Sequence, residues 1–198
     1  MATIPRAAPS RHRLSVDDFH RMAEVGILAP TERVELIDGE IIDMSPIGAL
    51  HAAIVARLAA LLTREIGSAA VVWCQNPIRL DDTSEPEPDI AIVRARADGY
   101  MTALPGPGDV LLVIEVADTS LAYDLGVKVP LYARHGIPDT WVIDAATRQT
   151  TRFRSPRDGR YGEETTHEPA EALSSPALVA DSGAEITVAL ATLLPSAG

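Results

Sequence analysis

Leu111-Leu112-Val113-Ile114-Glu115-Val116 is the run that decides the fold. Six nearly uninterrupted apolar, β-prone residues read as a strand buried on both faces, the kind found at the centre of a sheet with layers on either side. Working outward, the sequence predicts strands over residues 71–80, 90–93, 110–116 and 140–144. Between the last two, residues 120–135 have helical spacing at Leu121, Leu125, Lys128 and Tyr132, with Gly136 and Pro138 as stop signals. Pro130 lies inside that segment and is expected to kink or delay the helix, at about 3 kcal/mol if truly interior. Residues 48–66 repeat apolar side chains at Ile54, Leu58, Leu61 and Leu62, one face of a long helix ended by Gly67. Nearer the start, Ser15-Val16-Asp17-Asp18 is a helix cap for a helix reaching about Val25 and stopping at Gly26. Val34-Glu35-Leu36-Ile37 and Glu40-Ile41-Ile42-Asp43-Met44 flank Asp38-Gly39, a hairpin signal. Past Thr147 the pattern weakens. Residues 150–154 and 161–165 read as short exposed strands, 163–185 is acidic and proline-bearing, and 186–194 is apolar enough to pack back on the core. The order predicts an α/β (or α+β) fold with a mixed central sheet flanked by helices, an N-terminal helix and a β-hairpin.

Composition narrows the class. The 198 residues make one domain over 14–198 behind a loose arm at 1–13. The most apolar helical stretch, 51–62, carries Arg57 and falls far short of the ~20 residues a bilayer needs. The start has arginines but no apolar h-region, so no signal peptide is expected. With one cysteine, Cys74, there is no internal disulfide and no cysteine zinc site, and a cytoplasmic protein is expected. Seventeen basic against 28 acidic residues give a net charge of −11, a poor surface for tight, non-specific DNA binding. Sixteen of the 17 basic residues are arginine, and Lys128 is the lone lysine.

Three residues break their local pattern. Glu115 interrupts the buried strand and needs a cation, a partner or a raised pKa. Asp89 opens the apolar run Ile90-Ala91-Ile92-Val93 directly after Pro88, a place also natural for a turn residue. Lys128 shares a helix face with Leu121, Leu125 and Tyr132; in a chain that otherwise uses arginine, a lysine there points to a need for a compact ammonium, although a snorkelling side chain would look the same. Two carboxylates are hard oxygen ligands for Mg²⁺. A bound ion would acidify a water and stabilise a leaving oxygen, while the ammonium holds the water or the phosphate charge. That is the chemistry of phosphodiester hydrolysis.

Pro88-Asp89 followed by Glu115-Val116 resembles the PD-(D/E)XK nuclease pattern. Four segments resemble the Uma-two family of restriction-endonuclease-like proteins. They are residues 34–41; Met44-Ser45-Pro46 with His51; residues 88–93; and Val113-Ile114-Glu115-Val116 through Asp124-Leu125, Lys128, Leu131-Tyr132-Ala133 and Gly136-Ile137-Pro138 to Trp141-Val142-Ile143-Asp144. The likeness covers roughly residues 14–150. It implies a restriction-endonuclease-like fold, a metal (Mg²⁺ or Mn²⁺) on Asp89, Glu115 and the Val116 carbonyl, and Glu35 as a further catalytic acid. The usual motif lysine stands two residues after the glutamate, where this chain has Ala117, so the resemblance implies a lysine moved to the following helix, Lys128.

The remaining candidates are weaker. His51 at a helix start is a possible accessory residue or a structural donor, Asp124 a helix cap or an accessory ligand, and Asp144 structural. Arg148, Arg152, Arg154, Arg157 and Arg160 are a phosphate-contacting loop or a solvated hairpin, and Arg6, Arg11, His12 and Arg13 carry the same ambiguity. The expected function is a metal-dependent endonuclease cutting DNA as a homodimer, two-fold symmetry suiting two strands. The alternatives are a catalytically inactive nuclease-fold scaffold or DNA-processing partner, and a hydrolase of small phosphate esters.

Overall fold

A computed structural model describes residues 11–193. The first ten residues of the expected arm, Arg6 among them, and the end of the apolar tail at Leu194 lie outside the described residues.

Helix α1 (Val16–Glu24) starts where the sequence places it. Ser15 accepts from the Asp18 amide, and Asp18 reaches back to the Ser15 amide, a reciprocal cap. Strands β1 (Val34–Ile37) and β2 (Glu40–Asp43) pair in the register Ile37↔Glu40, leaving a two-residue turn. Asp38 and Gly39 both have positive φ, 49° and 76°, as that tight turn demands. Arg13 donates to the Asp38 carbonyl and Leu14 to the Gly39 carbonyl, so the described end of the arm lies against this turn.

The core is a six-stranded sheet in the order β3-β4-β5-β6-β7-β8. Its strands are β3 (Ala70–Cys74), β4 (Ile90–Arg94), β5 (Val110–Ala117), β6 (Asp139–Asp144), β7 (Thr150–Arg157) and β8 (Arg160–His167). Only β5 and β6 run parallel. Parallel neighbours need a crossover, and here it is helical: α3 (Leu121–Tyr123), a π turn (Asp124–Lys128) and α4 (Val129–Arg134). The long helix α2 (Ala49–Ile66) packs on one face together with β9 (Ala172–Val179), β10 (Glu185–Ala189) and α5 (Leu190–Leu193). Leu112, Ile114 and Val116 of β5 point into that layer, while Val113 points into the other with Tyr132 and Leu131 of α4. The double burial read from residues 111–116 is what the structure shows, and Ile186, Val188, Leu190 and Leu193 pack back on the core as expected.

Four expectations are corrected. The strand expected over 71–80 ends at Cys74, and Gln75 turns the chain with φ 48°. Ile78 and Leu80 are buried core residues of a loop whose amides bond Pro86 and Ser84 carbonyls, so their apolarity mimicked a strand. Secondly, β7 and β8 are not short: each has eight residues and extends the main sheet. Thirdly, β9 lies within the acidic stretch 163–185, where Ser175 and Pro176 break its alternation, and β10 opens the apolar segment 186–194. Finally, the crossover helix does not keep one α-helical stripe. Val129 bonds the Asp124 carbonyl five residues back, a widened turn just before Pro130, which lacks an amide. The extra residue in that turn leaves Leu125 37% exposed while Asp124, Lys128 and Tyr132 stay buried.

One buried network ties the outer strands to β9. Asp139 accepts from both Arg152 Nε (3.1 Å) and Nη2 (2.6 Å), from Trp141 Nε1 (3.1 Å) and from Ser175 Oγ (2.7 Å). Removing the acid alone strands a mostly buried guanidinium, so Asp139→Ala should cost about 3–5 kcal/mol in urea unfolding, whereas Asp139→Leu with Arg152→Met should lose much less. Equal losses for the two would show that the pair is not what holds this corner.

Candidate functional site

The site residues come from five separate parts of the chain. Glu35 comes from β1, Glu87 and Asp89 from the segment entering β4, Glu115 and Val116 from β5, Tyr123, Asp124 and Lys128 from the crossover, and His51 from the first turn of α2. All except Val116 line one cavity of about 400 Å³. The sequence separation is large, but the bonds are short. Lys128 Nζ lies 3.3 Å from Glu35 Oε2 and 3.3 Å from Glu115 Oε1, and donates to the Glu87 carbonyl at 3.4 Å. The Asp89 amide donates to Glu115 Oε2 (3.3 Å), while Asp89 Oδ2 accepts from the Val116 amide (2.8 Å). The two strand acids are thus cross-linked through each other's backbone.

Further donors fix the acids. Tyr132 OH donates to Glu115 Oε1 (2.6 Å), and Tyr123 OH to Glu35 Oε1 (3.0 Å). The Glu87 amide donates to Glu35 Oε2 (3.0 Å). His51 Nε2 lies 2.9 Å from Asp89 Oδ1, and its Nδ1 is buried without a hydrogen bond. Ser120 Oγ donates to Asp124 Oδ2 (2.6 Å). Asp124 is therefore not the helix cap: it begins the π turn, and Ser120 holds the N-cap place of α3.

Burial and charge set the electrostatics. Glu35 and Glu115 side chains are only 2% exposed and Lys128 5%. Burial alone would discharge the ammonium, but the Glu115 and Glu35 carboxylates outweigh it and hold Lys128 above the usual lysine range. Burial pushes the Glu115, Asp124 and Glu87 carboxyls up, and the hydrogen bond to Asp89 raises the His51 imidazole. Among the described residues, seven carboxylates line the cavity (Glu35, Asp43, Glu87, Asp89, Glu115, Asp118 and Asp124), against one lysine and one arginine, Lys128 and Arg33.

A family model described as "Uma2: Putative restriction endonuclease" matches residues 16–189. The chain belongs to the Uma2 family. Among solved structures it is similar to the crystal structure of "a putative nuclease belonging to DUF820" from Anabaena variabilis. That likeness has 16% identity and a TM-score of 0.67, and it covers 91% of this chain and 97% of that one. At such identity it shows the fold, a nuclease-type mixed sheet with helices. No curated protein matches the chain.

Within the Uma2 chain, the structure gathers Glu35, Asp89, Glu115, Lys128, His51 and Asp124, and Val116 joins them through its backbone. The arginines lie elsewhere. Arg152 pairs across from Trp141, which pairs with Ile114, so it faces the opposite side of the sheet from Glu115 and holds Asp139. Arg154 lines a separate recess of about 160 Å³ with Leu111 and Ser175, and Arg157 is exposed outside the cavity. None of the three reaches the site. Asp144 is structural as expected, accepting from the Ala146 and Thr147 amides.

A divalent ion fits this site by donor chemistry and by charge. Asp89 and Glu115 offer hard oxygens, and the surplus of carboxylates favours a cation. Among the described residues, no three His, Cys, Asp or Glu side chains are drawn into a ready-made cage. Sequence reasoning missed Tyr132, Tyr123, Glu87 and Arg33. Only Tyr132 left a signal, four residues after Lys128, where it passed as part of an apolar face.

If the ammonium is what makes the buried acids tolerable, Lys128→Met should destabilise by about 3–5 kcal/mol and Tyr132→Phe by about 1–3 kcal/mol. Urea unfolding of both variants against the parent measures this. A Lys128→Met protein as stable as the parent would mean that the acids are buried neutral.

Proposed function

We propose that this Uma2 protein is an endonuclease that hydrolyses DNA phosphodiester bonds with the help of Mg²⁺ or Mn²⁺. One observation carries the reading: Glu35 and Glu115, from separate elements, both reach the chain's single lysine, and Asp89 bonds Glu115 through its amide in the same cavity. A shell of bonds this specific around so many buried charges destabilises a fold and is hard to explain as scaffolding.

Asp89, Glu115 and the Val116 carbonyl are the groups that would hold the ion. When bound, it supplies an acidified water and stabilises the leaving oxygen. The chain's own residues do the rest. His51 and the Val116 amide grip one oxygen each of Asp89 and fix its plane. Tyr132 does the same for Glu115. Lys128 directs three donors at acceptors that are all 3.3–3.4 Å away, long enough for a phosphate oxygen or an attacking water to take one of those places. Glu35, 3.3 Å from the ammonium, helps to keep it charged. Cutting both strands of a duplex would take two copies, and a two-fold dimer supplies them.

The inactive scaffold has one observation in its favour, the absence of a ready-made metal cage among the described residues. Titration calorimetry separates the two readings. An endonuclease should bind Mg²⁺ or Mn²⁺ in the millimolar range or tighter, with loss of binding in Glu115→Ala, whereas a scaffold should bind none while folded. Plasmid nicking in Mn²⁺ gives the second measurement. At equal folded concentration, Glu115→Ala should be inert, and Lys128→Met should be slower by about 10²–10³-fold. If parent and variants nick alike, the assignment fails.

A further inference from the structure

Arg33 stands just ahead of β1 and is, among the described residues, the only arginine lining the cavity. Its side chain is 36% exposed, whereas Lys128, the other cation, is buried and committed to three acceptors. The contacts that Arg33 makes are loose. Nη1 lies 3.3 Å from the Ser45 carbonyl, and Nη2 lies 3.5 Å from Glu87 Oε1 and 4.0 Å from Met44 Sδ. Nε takes part in none of these bonds, and only one of the two Nη1 donors is used, so two of the five donors of the guanidinium have no partner among these contacts and the other three are held at long range. A half-exposed, long ion pair such as Arg33–Glu87 is weak and readily exchanged for a better anion.

Glu87 also sets the distance between the two cations. Its carboxylate meets Arg33 and its carbonyl meets Lys128, so a single residue separates the guanidinium at the mouth from the ammonium on the floor. A nucleic-acid strand carries phosphates in series and meets seven carboxylates here. It needs a positive group at the entrance for the phosphate beside the one being cut. A planar fork with paired donors suits a phosphate better than a carboxylate held at 3.5 Å.

We infer that Arg33 is a phosphate-binding subsite: it holds the backbone phosphate next to the scissile one and so sets the register of the strand in the cavity. The inference rests on the endonuclease reading. On engagement the Arg33–Glu87 contact gives way to a bidentate guanidinium–phosphate pair.

The test is fluorescence anisotropy with a labelled single-stranded oligonucleotide, Ca²⁺ replacing Mg²⁺ to hold off cutting, over a series of salt concentrations. The proteins are the parent, Arg33→Ala, Arg33→Lys and Arg64→Ala, with circular dichroism as the check on folding. Arg64 is near the far end of the 18-residue α2, about 20 Å along the helix from His51. Its removal subtracts the same charge away from the site. Arg33→Ala should raise Kd about tenfold and flatten the slope of log Kd against log salt by about 0.7, the share of one single-strand phosphate. Arg33→Lys should restore the slope without the full affinity, and Arg64→Ala should follow the parent. If Arg33→Ala keeps the parental slope, or Arg64→Ala loses as much, the subsite is overturned while the endonuclease reading stands. If the parent binds neither this oligonucleotide nor its duplex, both fall.

Discussion

The ammonium of Lys128 between the carboxylates of Glu35 and Glu115 is the interaction on which the rest of the molecule turns. Each partner is almost fully removed from water, and none could stay charged there alone. The acids hold the ammonium charged against its own desolvation, and the ammonium offsets part of theirs. Such an arrangement tolerates little displacement, because the attraction has to be realised at short range to balance what burial costs. It joins the hairpin, the fifth strand and the crossover, so the tertiary structure around it must hold all three in register.

The crossover is built to meet that demand. A plain α-helix through residues 121–134 would meet Pro130 with a carbonyl in the way and one bond short. The π turn at Asp124–Lys128 absorbs the misfit just before the proline and adds a residue to the turn. Leu125 is left towards solvent, while Asp124, Lys128 and Tyr132 remain inside. Widened turns recur at functional positions because they present side chains that a regular helix would misplace. Here the turn lets one short segment supply an acid, an amine and a phenol to a single cavity.

The cavity's charge explains how an acidic Uma2 chain could handle a polyanion. On the proposed endonuclease reading, the acid surplus there would concentrate cations, and the cations would admit phosphate. The basic residues expected to do this from β7 are spent on structure or lie outside the cavity, Arg152 most plainly in its bond with Asp139.

Several features were legible in the amino-acid order alone: the hairpin at Asp38-Gly39, the doubly buried strand, the anomaly of Glu115 within it, and the oddity of a single lysine. Those are local signals, since backbone preference, periodicity and an out-of-place residue type can be read over a few neighbours. The resemblance to the Uma-two family added Glu35 and the displaced lysine. Tertiary structure alone decided that His51 grips Asp89, that Tyr132 and Tyr123 hold the acids, that Ile78 and Leu80 are core without being strand, and that Arg152 braces the sheet. Periodicity reports whether a side chain is buried, but not which group across 17 to 88 residues of chain will meet it. That choice depends on how the layers pack, because a hydrogen bond needs its partners within about 3 Å, and only the folded sheet brings them that close.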